Sequence, residues 1–143
     1  MEIRDFLKTG ILNGIHRGMH LTEVLKLVPS MTFVEQLDEV KISDSEVFEF
    51  TLQNDIVIGI VISVNAFEPI IVEKRGTTCM QVEVKTTLDE LCKMLGELNI
   101  SWKFLPRWTF NHQLALETEG DVDFLFDYSD GRSWLGKIGC WQR

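Results

Sequence analysis

The residues of this chain that are best suited to chemistry are three histidines. His16 and His20 are four apart, a spacing that would present two imidazoles to a metal if both lay on one helix. Gly18 lies between them, and the first clear helix is predicted to start after both. His112 follows Trp108 in an aromatic loop and could serve a pocket, but no serine or cysteine has a Gly-x-Ser-x-Gly context. We therefore predict no catalytic residue, no bound metal and no cofactor.

Closely spaced carboxylates form a second candidate group. Asp121, Asp123 and Asp127 alternate along one predicted strand, and neighbouring carboxylates can do acid–base work or bind a metal. The residues between them are largely apolar, as in a strand with one face buried in the core and the other face exposed to solvent. We expect the three aspartates to form the solvated face of a half-buried strand.

Acidic residues are concentrated in two blocks of the chain. The net charge is −8, and segment 35–55 has seven acidic residues against one lysine, while segment 117–131 has six acidic residues and no base. Nucleic-acid binding would need a basic stripe, so we predict no nucleic-acid partner. Clustered negative charge suits a basic protein partner. The predicted partner-binding residues are Asp38, Glu39, Asp44, Glu46, Asp121, Asp123, Asp127 and Trp108.

Cysteine usage and hydropathy indicate the compartment. Cys79, Cys92 and Cys140 are widely spaced and form no Cys-x-x-Cys pair, which favours free thiols over a disulfide framework or a zinc site. No apolar run approaches the roughly 18 residues of a membrane span. The first residues include acids where a signal peptide would be basic. We expect a cytoplasmic protein without a membrane partner that stays stable in reducing agent.

The chain contains two similar halves. Residues 21–28 align with residues 88–95, and each copy leads to a segment that alternates polar and apolar residues around a turn. The alternating segments are 47–53 with 56–60, and 122–127 with 134–138. This pattern predicts an α+β fold in one domain, 1–143, with short helices on one face of an antiparallel sheet. The helix-then-hairpin repeats are expected at about 15–64 and 82–140.

Boundary signals refine this prediction. Pro29 ends a first helix at 21–28, and Thr87 with Glu90 forms a capping box for a second helix at 88–98. Asn54-Asp55 is typical of a tight hairpin turn. A further strand is predicted at 80–84.

Residues 18–29 resemble a known pattern: a glycine and methionine, a capping residue, and a short helix with Glu-Val and a leucine-rich end. The pattern is similar to the helical start of the SmpA/OmlA-type outer-membrane lipoproteins and of the tandem-repeat β-lactamase inhibitor protein. This chain has no lipobox cysteine near its start, so the resemblance does not imply a membrane anchor. It implies helices packed on an antiparallel sheet, and binding of other proteins through the sheet or its loops.

These patterns leave three functional alternatives. The first is a cytoplasmic protein-binding module. Specifically, it would be an immunity protein whose acidic surface neutralises a cognate toxin, such as a basic nuclease. Small cytoplasmic proteins of this general type occur as immunity partners of bacterial toxins. The second is a small-ligand-binding protein or enzyme with a pocket near His112 and Trp108. A subunit or scaffold of a larger assembly is a third possibility. If the acidic residues are exposed, reversing their charge should slow association while hardly changing the melting temperature.

Overall fold

A computed structural model of the chain describes residues 2–28, 32–36, 39–43 and 48–141. The helices are α1 (Arg4–Thr9), α2 (Leu21–Leu27) and α3 (Leu88–Glu97), and a 3₁₀ turn spans Pro106–Trp108. The strands are β1 (Thr32–Gln36), β2 (Glu39–Ser43), β3 (Phe48–Gln53), β4 (Ile56–Ser63), β5 (Ile70–Arg75), β6 (Thr78–Val82), β7 (Trp102–Phe104), β8 (Gln113–Thr118), β9 (Asp123–Asp127) and β10 (Trp134–Trp141).

Eight of the strands form one antiparallel sheet, in the order β1-β2-β3-β4-β10-β9-β8-β7. Strands β5 and β6 form a separate antiparallel hairpin between the two halves of the chain. The predicted α+β class with an antiparallel sheet is therefore confirmed. None of the helices in the described ranges is both long and apolar enough to cross a membrane.

The two halves of the large sheet have the same architecture. In each half one helix, α2 or α3, is followed by a four-stranded meander, and the last strands of the two meanders, β4 and β10, pair with each other. Val61 and Gly139 are both the sixth residue of an eight-residue strand, and they face each other. Exchanging the two halves therefore leaves this pairing unchanged, which is the property of a pseudo-twofold axis.

A shared irregularity supports the equivalence of the halves. Ile58 of β4 and Gly136 of β10 are both the third residue of their strand, and each is the extra residue at a β-bulge. The residue before each bulge donates its N–H to a carbonyl just upstream of the helix, Val57 to Met19 and Leu135 to Val84, both at 2.9 Å. Each helix is thus tied to the last strand of its own half.

One face of the sheet carries the core. A row of apolar residues crosses six strands in register: Phe48, Ile62, Ile138, Phe124, Leu116 and Phe104. Most of this row packs in one buried cluster with residues from all three helices, among them Phe6, Val24 and Leu91. The alternation of the strands therefore places the helices together on this side of the sheet.

Local signals explain where the elements begin and turn. Thr87 accepts a hydrogen bond from Glu90 N–H at 3.2 Å while Glu90 Oε2 accepts one from Thr87 N–H at 3.1 Å, so the predicted capping box is confirmed. His20 caps α2 by accepting from Thr22 N–H at 3.2 Å. Asn54 and Asp55 both have positive φ, as the predicted two-residue hairpin turn requires.

Some predicted boundaries differ from the structure. The strand expected at 80–84 is β6, Thr78–Val82, because residues 83–86 form a turn in which Glu83 N–H donates to Thr86 Oγ1 at 2.8 Å. Strand β2 was not predicted, since its short alternation lies within the acidic block. Each helix leads into four strands, and the predicted hairpin is the second pair of each meander.

Candidate functional site

The side of the sheet opposite the helices, called here the open face, carries a row of a different character. In register across six strands lie Glu49, Val61, Gly139, Asp123, Glu117 and Lys103. A second row contains Ser63, Lys137, Leu125 and Ala115. Polar and small residues thus replace the large apolar residues of the core face, and none of the three helices covers them.

Trp141 lies across the middle of the open face, where two glycines make room for it. A Cβ at Gly139 would lie 3.2 Å from Trp141 Cη2, and one at Gly59 would lie 3.5 Å from Trp141 Cδ1. The indole therefore runs over the backbone of the two central strands. Asp123 is the neighbour of Gly139 on β9, so the six-membered ring of Trp141 lies beside Asp123.

The β7–β8 loop, residues 105–112, brings further aromatic side chains to the open face. Thr109 Oγ1 donates to Leu105 C=O and accepts from Ala115 N–H, both at 3.1 Å. Gln113 Nε2 donates to Trp108 C=O at 2.8 Å. The loop is therefore held to β8 by hydrogen bonds, while Trp108 is 41% exposed and Phe110 is 51% exposed.

Two cavities lie side by side on this face. The first, called here the tryptophan cavity, measures about 330 Å³ and is lined by Trp108, Asp123, Leu125 and Trp141. The second, called here the histidine cavity, measures about 520 Å³ and is lined by ten residues that include Leu125, His112, Asp127 and Lys137. Leu125 contributes to both, so the cavities are neighbours across one side chain. Volumes of this size suit a side chain or a small molecule.

The expectation that the three aspartates share a solvated strand face is wrong for two of them. Asp123 is only 1% exposed, because the β7–β8 loop and Trp141 enclose this part of the face. Asp121 precedes β9, in a turn where its φ is +58°. Asp127 alone is an exposed strand residue. Replacing Asp123 with lysine would consequently bury a lysine side chain. The melting temperature should therefore fall, whereas it was expected to stay nearly constant for an exposed acidic residue.

Most of the second acidic block makes local bonds. Glu117 is 2% exposed and its Oε1 lies 3.2 Å from Lys103 Nζ. Glu119 Oε1 accepts from Ser101 N–H at 3.1 Å, and Asp121 Oδ2 lies 3.3 Å from Arg17 Nη2. These contacts join turns and strand ends within the chain, so the carboxylates serve the fold as well as the surface.

Asp127 and Asp130 fix the turn between β9 and β10. Hydrogen bonds from the Ser129 backbone and hydroxyl lower the pKa of Asp127 below its ordinary value. The Arg132 N–H and the Trp134 indole N–H lower the pKa of Asp130 in the same way, donating at 2.9 and 2.8 Å. Both carboxylates are therefore ionised over the whole neutral and mildly acidic range.

Of the acidic residues in segment 35–55, Glu49 lies in the first row of the open face. Asp38, Asp44 and Glu46 lie outside the described residues, and Glu39 is the first residue of β2. Of the predicted partner-binding residues, the structure brings Trp108 and Asp123 into one cavity and Asp127 into the next. Asp121 lies at the β8–β9 turn.

The remaining candidates for chemistry have structural settings. His20 caps α2 and His16 precedes that helix, so the two histidines do not share a helical face. Across the described residues, no group of three or more His, Cys, Asp and Glu side chains has a metal-holding arrangement. All three cysteines are free, and burial raises the pKa of Cys140 to about 11, which keeps that thiol protonated.

Sequence reasoning missed Trp141, Leu125 and Phe110 as members of this site. The final strand contains a sequence signal for the position of Trp141. Gly139 and Trp141 are two residues apart, so both positions lie on the same face of the sheet. A glycine in a strand interior often marks the close approach of another group. The position of the second glycine, Gly59, beneath the same indole depends on the pairing of β4 with β10.

Comparison with known proteins adds no assignment: no protein-family model, no curated protein and no solved structure matches this chain.

Proposed function

We propose that the chain is a protein-binding module that engages its partner through the open face of the sheet. The observation that carries this proposal is the pair of exposed aromatic side chains, Trp108 and Phe110, on a hydrogen-bonded loop beside a cavity. Aromatic anchors next to pockets dominate the binding energy of protein interfaces. The helices occupy the other face, and Ser63, Lys103 and Lys137 of this side are exposed.

The loop geometry favours binding. A partner that contacts Trp108 meets a side chain whose backbone carbonyl is already bonded to Gln113, and Thr109 fastens the loop at two further points. Ordering a flexible loop costs free energy on association, and a loop that is already ordered avoids that cost. The site is thus built as a preformed surface.

The finer proposal is an immunity protein that neutralises a basic toxin domain, such as a nuclease. The net charge of −8 supports a basic partner, because complementary charge steers association. The resemblance of residues 18–29 to repeat proteins that bind other proteins supports the use of the sheet. A cytoplasmic location fits three free cysteines. Products of neighbouring genes, in particular a large secreted toxin, are the first candidates for the partner.

The test is the affinity of Trp108→Ala for the partner once it has been identified, measured by surface plasmon resonance. We expect the dissociation constant to rise at least about tenfold, as for a central aromatic anchor. The matched control is Phe67→Ala, which removes another exposed aromatic residue, 93% exposed, from the loop after β4. Phe67→Ala should bind like the parent. Equal binding by all three proteins would contradict the proposed interface.

The histidine cavity supports a second candidate function, the binding of a small molecule or its conversion. Its wall combines an imidazole, a carboxylate and an amine from His112, Asp127 and Lys137. A screen of metabolites by thermal shift tests this function, with His112→Ala as the variant that should abolish any stabilisation. Stabilisation that persists in the variant would place the ligand elsewhere.

A further inference from the structure

The loop after β4 carries the most exposed large apolar side chain of the described residues, Phe67, which is 93% exposed. Its backbone is nevertheless ordered, because Asn65 Oδ1 accepts hydrogen bonds from Phe67 N–H and Glu68 N–H, both at 2.9 Å. Asparagine side chains stabilise turns by binding the backbone ahead of them in this way. The loop therefore holds a phenyl ring in solvent, although burying that ring would be favourable.

A cavity of about 490 Å³, called here the loop cavity, lies beside this ring. Its lining includes Ala66, Phe67, Pro69, Val84 and Trp134. The Val84 carbonyl accepts from Leu135 N–H at 2.9 Å, and Trp134 Nε1 donates to Asp130 Oδ2 at 2.8 Å. Hydrogen bonds thus fix the far wall of the cavity as well as the loop that carries the ring.

We propose that a second copy of this chain binds here, with the Phe67 ring of each copy inserted into the loop cavity of the other. A projecting ring and a cavity that lie side by side on one surface can be satisfied together by a twofold axis, which makes both contacts at once. The inference goes beyond the proposed function, since the loop cavity shares no lining residue with the tryptophan and histidine cavities.

The charges around the loop cavity also fit a second copy. Glu68, Glu83 and Lys85 belong to its lining, and within the described residues none of these side chains forms an ion pair. A twofold axis through this patch would bring the lysine of one copy near the acidic residues of the other. A patch with charges of both signs is in this way complementary to its own copy.

The size of the contact indicates a weak dimer. One aromatic side chain buries about 150–250 Å², whereas a standard interface buries about 800 Å² per partner. The net charge of −8 on each copy also opposes association. We therefore expect a dissociation constant on the order of 0.1–1 mM. At micromolar concentrations the chain is then a monomer, so Phe67→Ala remains a valid control for partner affinity.

The experiment is a concentration series of the ¹⁵N-labelled full chain up to about 2 mM, followed by the indole N–H signals. About 0.2 M salt screens the repulsion between the copies. Trp134 lines the loop cavity, while Trp102, Trp108 and Trp141 do not. The Trp134 signal should shift with protein concentration and the other three should not. Sedimentation equilibrium gives the dissociation constant.

Two variants separate the ring from the cavity. Phe67→Ala removes the inserted ring, and Ala66→Gln places a neutral side chain in the cavity while Phe67 stays. Both positions are exposed loop residues, so the fold should be unaffected. Each variant should raise the dissociation constant at least about tenfold. Phe110→Ala, which removes a 51% exposed ring from the β7–β8 loop, is the matched control and should self-associate like the parent.

A third comparison tests the charges. Lys85→Glu should raise the dissociation constant about threefold or more, because the patch would then carry only negative charge. Lys93→Glu changes the net charge equally from an exposed position on α3 outside the cavity lining, and it should have a smaller effect. Equal weakening by the two variants would overturn the pairing of charges across the twofold axis.

The remaining outcomes decide the proposal itself. A chain that stays monomeric up to about 2 mM, or that self-associates without a shift at Trp134, would overturn it. Undiminished self-association of Phe67→Ala would also overturn it, since another surface would then be in use. Undiminished self-association of Ala66→Gln would show that the ring does not enter the loop cavity, which rejects the proposed contact.

Discussion

At the scale of single residues, the acidic block 117–131 stabilises the fold, in addition to the binding role that we propose for its charge. Glu117, Glu119, Asp121, Asp127 and Asp130 all make hydrogen bonds or ion pairs within the chain. Each of these bonds holds a turn or a strand end. The charge that gives the surface its negative potential is therefore also part of the framework, and substitutions in the block should change stability as well as binding.

Asp130 provides a direct test of the structural role of these carboxylates. Its pKa is lowered in the folded state, so ionised Asp130 stabilises the fold above its ordinary pKa of 3.8, and this stabilisation is lost as the pH falls through the folded pKa. We expect Asp130→Asn to lower the melting temperature at pH 7. The difference from the parent should narrow as both proteins are measured at pH values progressively below 3.8.

Thermal unfolding followed by circular dichroism measures both values. Glu83→Gln, which removes an exposed carboxylate from the turn before α3, is the control and should melt like the parent at each pH. A difference between Asp130→Asn and the parent that stays constant with pH would show that the carboxylate charge is not responsible.

At the scale of elements, the open face depends on two strands that lie close beneath an indole. Gly59 of β4 and Gly139 of β10 are both covered by Trp141, yet they tolerate a side chain differently. A Cβ at Gly139 would lie 2.5 Å from the Ile60 carbonyl oxygen, a backbone atom that the sheet holds in place. A Cβ at Gly59 would meet no atom closer than 3.5 Å.

Gly139→Ala should therefore be far more destabilising than Gly59→Ala. Overpacking against a fixed backbone typically costs about 1–3 kcal/mol, so we expect the free energy of unfolding of Gly139→Ala to fall by that amount or more. Gly59→Ala should change it by less than about 1 kcal/mol, since its contacts are of ordinary length. Urea denaturation gives both values. Equal destabilisation by the two substitutions would contradict the described pairing of β4 with β10.

At the scale of the whole molecule, two architecturally equivalent halves carry different surfaces. All four tryptophans belong to the second half, and the tryptophan and histidine cavities are built mainly from its strands. The first half contributes Gly59, on which Trp141 rests, and Arg17, whose Nη1 donates to Trp141 C=O. The two halves thus form one continuous sheet, and both cavities lie mainly in the second half.

The net charge predicts how association should respond to salt. If the partner is basic, as we propose, the net charge of −8 should steer it over distances comparable to the Debye length, and the association rate should fall about tenfold when salt rises from roughly 0.05 to 0.5 M. The dissociation rate should change much less, since it reflects the contacts of the aromatic loop and the cavity.

Stopped-flow fluorescence of the tryptophans follows both rates with the partner in excess. A neutral osmolyte at matched viscosity is the control for effects other than screening. An association rate that does not depend on salt would leave the aromatic contacts as the basis of binding and reject a role for electrostatic steering.

The sequence by itself determined the local structure. The helical spacing of residues 21–28 and 88–95, the capping box at Thr87 and the Asn54-Asp55 turn each depend on residues a few positions apart, and all are present in the structure. The alternating segments predicted the two hairpins, and the repeat predicted the matching halves. These features follow from backbone geometry and short-range hydrogen bonds. They can be predicted from the sequence because the residues involved are only a few positions apart.

Only the tertiary structure decided which residues form the open face and how deeply they are buried. Trp141 rests on Gly59, more than eighty residues away, because β4 pairs with β10 in one register. The sequence pattern predicts that Asp123 is a solvent-exposed strand residue, but the β7–β8 loop and the indole of Trp141 enclose it. Burial of this kind depends on contacts between distant segments, and alternation along one strand gives two faces without saying what will cover either of them.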